Sequence, residues 1–179
     1  MWAKPGKTDT MARRYVASAL GAFAAMALSL LMPLPAAAQT GRQFDRVGWV
    51  AHVSAYSFDA LNTRLDAAIR AEKMGLVTQA SASAGALSRG VTIPGNRVVG
   101  VYRNDFAVRM LEASLAAGIE APIRFYVSED PDGGATLSYK TPTHVFSPYF
   151  EEGETALQTL AGELDQIFAR IAARAAGSS

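Results

Sequence analysis

Apolar residues recur along this chain in two rhythms, short β-like runs and longer stripes at helical spacing. Residues 47–53 (VGWVAHV) have the length and the Val/Trp content of a first strand. Beyond them Phe58, Leu61, Leu65, Ala68 and Ile69 repeat at helical spacing, with Arg64, Asp66, Arg70, Glu72 and Lys73 on the wet side. Ser57 supplies an N-cap, and Asp59 puts a carboxylate in the first turn, where the helix dipole favours it. Gly75 stands in the expected C′ position and ends the helix. Residues 75–79 begin a second extended piece. Residues 80–90 lack large apolar side chains and read as a loop or a short helical turn.

The second half follows the same logic. Residues 97–102 form a strand launched from the turn Pro94-Gly95-Asn96. Asn104 or Asp105 caps a second helix, with Phe106, Met110, Leu111, Ser114 and Leu115 as its buried stripe and Gly118 as its end. Residues 123–127 and 135–139 flank Glu129-Asp130-Pro131-Asp132-Gly133-Gly134, a β-hairpin with a Pro/Asp/Gly loop. Thr141-Pro142-Thr143 closes its second arm. Residues 155–175 carry Leu157, Leu160, Leu164, Ile167, Phe168 and Ile171 on one face of the longest helix. The predicted order is β-α-β-α-β-β-α. This is an α+β domain over residues 47–176, a mainly antiparallel sheet with two to three helices packed on one face.

The segment before that domain has a different character. Arg13-Arg14 precede an uncharged run over residues 15–39, rich in Ala, Leu and Met, and Pro33 and Pro35 then break it. Ala36-Ala37-Ala38 places small residues where a signal peptidase reads. Residues 1–38 therefore read as a signal peptide cleaved between Ala38 and Gln39, with Met11 as an alternative start and residues 39–46 as a polar leader. The competing reading is a retained membrane anchor, against which the many Ala, Gly and Ser residues argue. The paired arginines also suit twin-arginine export, for which a fuller consensus is missing. Cleavage puts the product in the periplasm or outside the cell and limits membrane contact to the signal peptide.

Removing that segment changes the charge. Residues 39–179 hold 13 basic and 15 acidic side chains, a net charge of −2. A mildly acidic domain lacks the clustered basic face that nucleic acid requires. No cysteine is present, which excludes disulfides, thiolate metal sites and thiol catalysis.

The remaining chemistry is sparse. His52 and His144 are the only histidines, and with Glu129 they are the weak candidates for a metal set, although nothing in their spacing supports one. Glu129, Asp130 and Asp132 lie in a turn that lacks the alternation of a calcium loop. No Gly-x-Ser-x-Gly elbow and no phosphate-binding glycine spacing occurs. No catalytic residue, metal or cofactor is assigned. Arg97, Tyr102, Arg103 and Asn104 are the ligand-binding candidates, because a helix N-terminus beside an arginine suits an anion.

One stretch is similar to a known family. RVVGVYRND, a helix, LAAGIEAPIRFYVSEDPDGGATLSY and then TP resemble the domain of unknown function 302 family over about residues 47–150. Ala117-Gly118-Ile119-Glu120-Ala121-Pro122 and Glu129-Asp130 with Gly133 carry the likeness most specifically. It implies a compact α+β fold, often dimeric, with no established reaction. Many members have Gly-x-Cys-Asn-Pro before the second helix and Pro-Cys at the next strand. Here only Gly100, Asn104 and Pro122 match, so no thiol role carries over.

These readings make the protein an exported, non-enzymatic domain that binds a small molecule, such as an anion, or a partner, and acts as a homodimer. An alternative is a periplasmic hydrolase or metal-assisted enzyme using His52 or His144 with Glu129. A second alternative is a structural or envelope-stress protein that docks a partner on its last helix, whose outer residues Glu154, Gln158, Glu163, Gln166 and Arg170 look merely solvated.

Overall fold

The Pro/Asp/Gly loop forms the turn its composition demands. In the computed structural model, which describes residues 43–177, Gly133 takes φ +85° and donates to Asp130 O, while Asp130 N donates to Gly134 O. The turn joins Ile123–Glu129 and Ala135–Lys140 in register, Phe125 opposite Tyr139. Three more strands complete a five-stranded antiparallel sheet: β1 (Trp49–Ser54), β2 (Gly75–Ala80) and β3 (Asn96–Tyr102), with the hairpin arms as β4 and β5. The spatial order is β1-β5-β4-β3-β2. The α+β class with a mainly antiparallel sheet is thus observed, with one strand more than the predicted order contains.

Helices α1 (Phe58–Ala71), α3 (Asn104–Ala113) and α5 (Phe150–Ala176) contribute buried side chains to one core with the sheet, and short helices α2 (Ala82–Leu87) and α4 (Pro142–Phe146) link elements. Alternation decides which strand residues meet the helices. Val99, Val101, Ile123, Phe125, Val127, Leu137 and Tyr139 point into the core. Phe125 stacks on Phe168 of α5 with ring centroids 4.5 Å apart, and Tyr139 meets both rings. Fully burying one such ring contributes about 2–3 kcal/mol, so this aromatic cluster fastens α5 to the sheet.

Several boundaries differ from expectation for local reasons. β1 starts at Trp49, because Gly48 at φ +75° breaks the strand and leaves Val47 exposed. Gly75 does not end α1. The left-handed residue is Lys73 at φ 58°, and the bonds Met74 N to Ile69 O and Lys73 N to Arg70 O close a Schellman motif; Gly75 opens β2. Asn104 and Asp105 are the first residues of α3 rather than its cap, which is Arg103, whose side chain makes no capping bond. That helix ends at Ala113, not near Gly118: Ser114 turns extended, its hydroxyl accepts from Ala117 N and donates to Glu152. Leu111 and Leu115 consequently lie on the surface, outside the buried stripe. Thr141-Pro142-Thr143 does not simply close the hairpin, since Thr141 caps α4. Helix α5 begins at Phe150 but is broken at Glu154 (φ 45°), so the expected start at residue 155 coincides with its second segment.

The proposed signal peptide, its cleavage site and Met11 lie outside the described residues. Among those described, no helix is long and apolar enough to cross a membrane.

Candidate functional site

The sheet face turned away from the helices gathers cations, aromatic rings and two unpartnered hydroxyls among the described residues. Alternation places Arg124, Tyr126 and Ser128 of β4, Thr136, Ser138 and Lys140 of β5, Trp49 of β1 and Val98 of β3 on that face. Trp49 lies opposite Lys140, and the register that pairs Phe125 with Tyr139 sets Arg124 beside Lys140 one step further on. Trp49, Val98, Arg124, Tyr126, Ser138 and Lys140 line a cleft of about 320 Å³, to which Glu120 adds one carboxylate. Glu120 accepts from Tyr149 Oη at 2.9 Å, a bond that raises the phenol pKa.

The leader extends this face. Phe44 is buried, stacks on Trp49 (6.2 Å, 25°) and meets Tyr126 edge-on (6.4 Å). On its far side a second cleft of about 470 Å³ is lined by Arg46, Asn96, Tyr126, Ser128 and Glu129. The Trp49 ring carries two cations, Lys140 Nζ at 5.6 Å and the Arg46 guanidinium at 5.7 Å from its centroid. Elsewhere five arginines face carboxylates: Arg97 with Asp66, Arg103 with Asp105, Arg109 with Glu163, and Arg170 and Arg174 with Glu72. Among the described residues Arg46, Arg124 and Lys140 on this face have no ion pair, and away from it neither do Arg64, Arg70, Lys73 and Arg89.

Buried polar atoms add to this. Ser138 is fully buried with no hydrogen-bond partner on its hydroxyl, and Ser128 Oγ is likewise unpartnered. Thr136 Oγ1 donates to Asp130 Oδ2 at 2.8 Å, while Asp130 Oδ1 has no partner. Burial raises the Asp130 pKa, and the Thr136 bond opposes that shift.

The four ligand candidates do not converge. Arg97 alternates with Val99 and Val101, so it points toward the helices; there it grips Asp66 (2.9 Å), Asn62 and Gln79. Its donors are spent on tying β3 to α1 and β2. Arg103 lies roughly 20 Å further along the strand. It donates to Asp105 at 2.8 Å and covers the Phe106 ring at 4.3 Å. Asn104 and Tyr102 are exposed beside it.

His52, His144 and Glu129 are also separate. His52 lies between Val50 and Ser54 on the helix side of β1, where burial lowers its pKa. His144 packs its ring against Gly48, which has no Cβ to obstruct it. Glu129 accepts from Gly95 N at 2.6 Å at the hairpin end of the sheet. No three His, Asp or Glu side chains gather as a metal set among the described residues.

The fold and this arrangement can be compared with known proteins. The family described as "Domain of unknown function DUF302" matches residues 50–174. The chain belongs to this family. The match runs on through α5, beyond the motifs that carry the likeness in the sequence. A similar solved structure, "Crystal structure of uncharacterized conserved protein DUF302 from Bacillus stearothermophilus", is 18% identical with a TM-score of 0.64. The likeness covers 73% of this chain and 99% of that one, and at this identity it speaks for the fold. No curated protein matches the sequence. In this DUF302 chain, two of the matched motif positions meet: a Cβ on Gly100 would stand 2.8 Å from Pro122 Cγ. Gly100 is thus required for close approach, and no reaction is implied by it.

Sequence reasoning missed Trp49, Arg124, Tyr126, Ser138 and Lys140. Their outward placement was readable from alternation in the hairpin. Their union with Trp49 depends on β1 pairing with β5, which no local pattern encodes.

Proposed function

We propose that this DUF302 chain is an exported, non-catalytic binding domain whose ligand surface is the open sheet face around Trp49. The observation that carries the reading is the cleft itself. It combines aromatic walls, cations without carboxylate partners and a buried hydroxyl without a hydrogen-bond partner. Buried donors of this kind are ordinarily satisfied, and a bound polar molecule satisfies them. Export rests on the basic, apolar and small-residue parts of the first 38 residues.

A thermal-shift screen of the full chain against small metabolites tests the surface. Compounds that raise Tm are expected to lose that effect in Trp49→Ala. Equal stabilisation of both proteins would place binding elsewhere. N-terminal sequencing of the exported protein is expected to begin at Gln39, and an intact N-terminus would refute cleavage.

Homodimer formation has support of its own. Val108, Leu111, Leu115 and Ile119 leave an exposed apolar stripe along α3 and the turn after it, which a second copy can cover. Light scattering after size exclusion reads the mass, and a monomer at high micromolar concentration excludes this state.

A further inference from the structure

We infer that the cleft beside Trp49 takes a small organic acid bearing an aromatic ring, an inference that rests on the open sheet face being the binding surface. Size comes first. A volume of about 320 Å³ lies at the lower end of ligand sites, suited to a single ring with a short substituent rather than to a nucleotide or a peptide.

Charge selects the substituent. Arg124 and Lys140 stand on adjacent strands at the same level, and neither has an ion-pair partner among the described residues. The one acid lining the cleft, Glu120, accepts from Tyr149 and offsets one of the two cations. Two cations against one carboxylate leave the cleft net positive, and with its apolar walls it favours a carboxylate or a similar oxyanion, which can accept from both at once. Ser138 supplies a further donor, fully buried and without a partner, on the same wall.

Ring preference follows from what already sits on the aromatic floor. Phe44, from the leader rather than from the sheet, stacks on Trp49 and meets Tyr126 edge-on. The chain thus shows that these two side chains accept a third ring, stacked on Trp49 and edge-on to Tyr126. The cleft opens beside Tyr126 and Trp49 with a volume that suits one more ring, and Lys140 Nζ, over the Trp49 ring at 5.6 Å, is placed to meet the acid group of that ring.

Trp2 and Trp49 are the only tryptophans, so in the full chain carrying Trp2→Phe the emission is that of Trp49. That ring lines this cleft and the one beside Phe44, and substitution of Arg124 and Lys140 distinguishes the two. Three probes separate the contributions: benzoate, benzyl alcohol as the neutral ring, and cyclohexanecarboxylate as the acid without aromaticity. Benzoate is expected to change Trp49 emission saturably and to bind about tenfold more tightly than either of the others, the scale of one charge-assisted hydrogen bond or one aromatic contact. Arg124→Gln with Lys140→Gln should weaken benzoate by at least about tenfold and leave benzyl alcohol unchanged. Both side chains are exposed, and an unchanged circular dichroism spectrum verifies folding.

Equal binding of benzoate and benzyl alcohol would overturn the acid. Equal binding of benzoate and cyclohexanecarboxylate would overturn the ring. In both cases the face would remain a binding surface. No saturable response to any probe would overturn the ligand class. If the thermal-shift screen also found only compounds indifferent to Trp49→Ala, the surface would fall with it.

Discussion

Two hydroxyls on β5 make opposite demands on stability, and the contrast tests the reading of the open face. Ser138 is fully buried and its Oγ has no partner, whereas Thr136, two residues earlier on the same face, donates to Asp130 at 2.8 Å. A buried hydroxyl left without a hydrogen bond costs about 1–3 kcal/mol in mutational data. Ser138→Ala deletes that unpaired group and removes a single heavy atom beside an existing cleft, so the packing loss is small. The ligand-free protein should therefore gain about 1 kcal/mol, near 4 °C in Tm for a domain of this size. Thr136→Val keeps the shape but strips Asp130 of its only side-chain donor. It should cost about 2 kcal/mol, because the acceptor is a buried carboxylate. Urea unfolding followed by Trp49 fluorescence measures both, with the m-value checked for constancy. The same Ser138→Ala variant should bind benzoate about fivefold more weakly, since the hydroxyl that destabilises the empty protein serves the occupied one. If the empty Ser138→Ala protein is no more stable than the parent, the hydroxyl is satisfied in solution. Ser138 then holds no unmet donor for a ligand to satisfy.

Burial depresses the His52 pKa, so the folded chain binds a proton less readily than the unfolded one. Stability is then fully present above the ordinary imidazole value of about 6.5 and is lost as pH falls through the lower folded value. His52→Gln should flatten that acid-side decline in urea titrations between pH 7 and pH 5, and an unchanged profile would refute the assignment. Arg97→Met leaves Asp66, Asn62 and Gln79 without their common donor; for this partly exposed clamp a loss of about 1–2 kcal/mol is expected with benzoate binding unaltered. Weakened binding with intact stability would make Arg97 a ligand residue instead. Lys73→Gly relieves a left-handed backbone at the end of α1 and should stabilise by about 1 kcal/mol, read from the urea midpoint. A destabilised variant would show that the lysine side chain outweighs the backbone term.

Local chemistry determined a good part of this protein. The hairpin at Asp130–Gly133, the cap at Ser57, the stripe Leu61-Leu65-Ala68-Ile69 and the apolar face of α5 depend on neighbours within a few turns, and each formed where its residues indicated. The α+β class followed from them. Alternation had the same reach: it sets Arg97 toward the helices with Val99 and Val101, a signal that already argued against a solvent-facing anion site there. Boundaries failed where tertiary bonds decided them. Ser114 leaves the helix to bond Ala117 and Glu152, and Lys73 accepts a strained φ because buried Met74 completes the Schellman closure.

What only the tertiary structure decided is which residues share a surface. Trp49 reaches Lys140 through pairing of the first strand with the last, and Phe44 reaches Tyr126 because residues 43–46 lie against the sheet. Such contacts join residues far apart in the chain. Their formation is governed by burial of the whole apolar face on the helices, not by the propensity of any segment. The sequence therefore determines the elements and the inward or outward sense of each side chain. The site appears only when the sheet assembles and places its outward residues side by side.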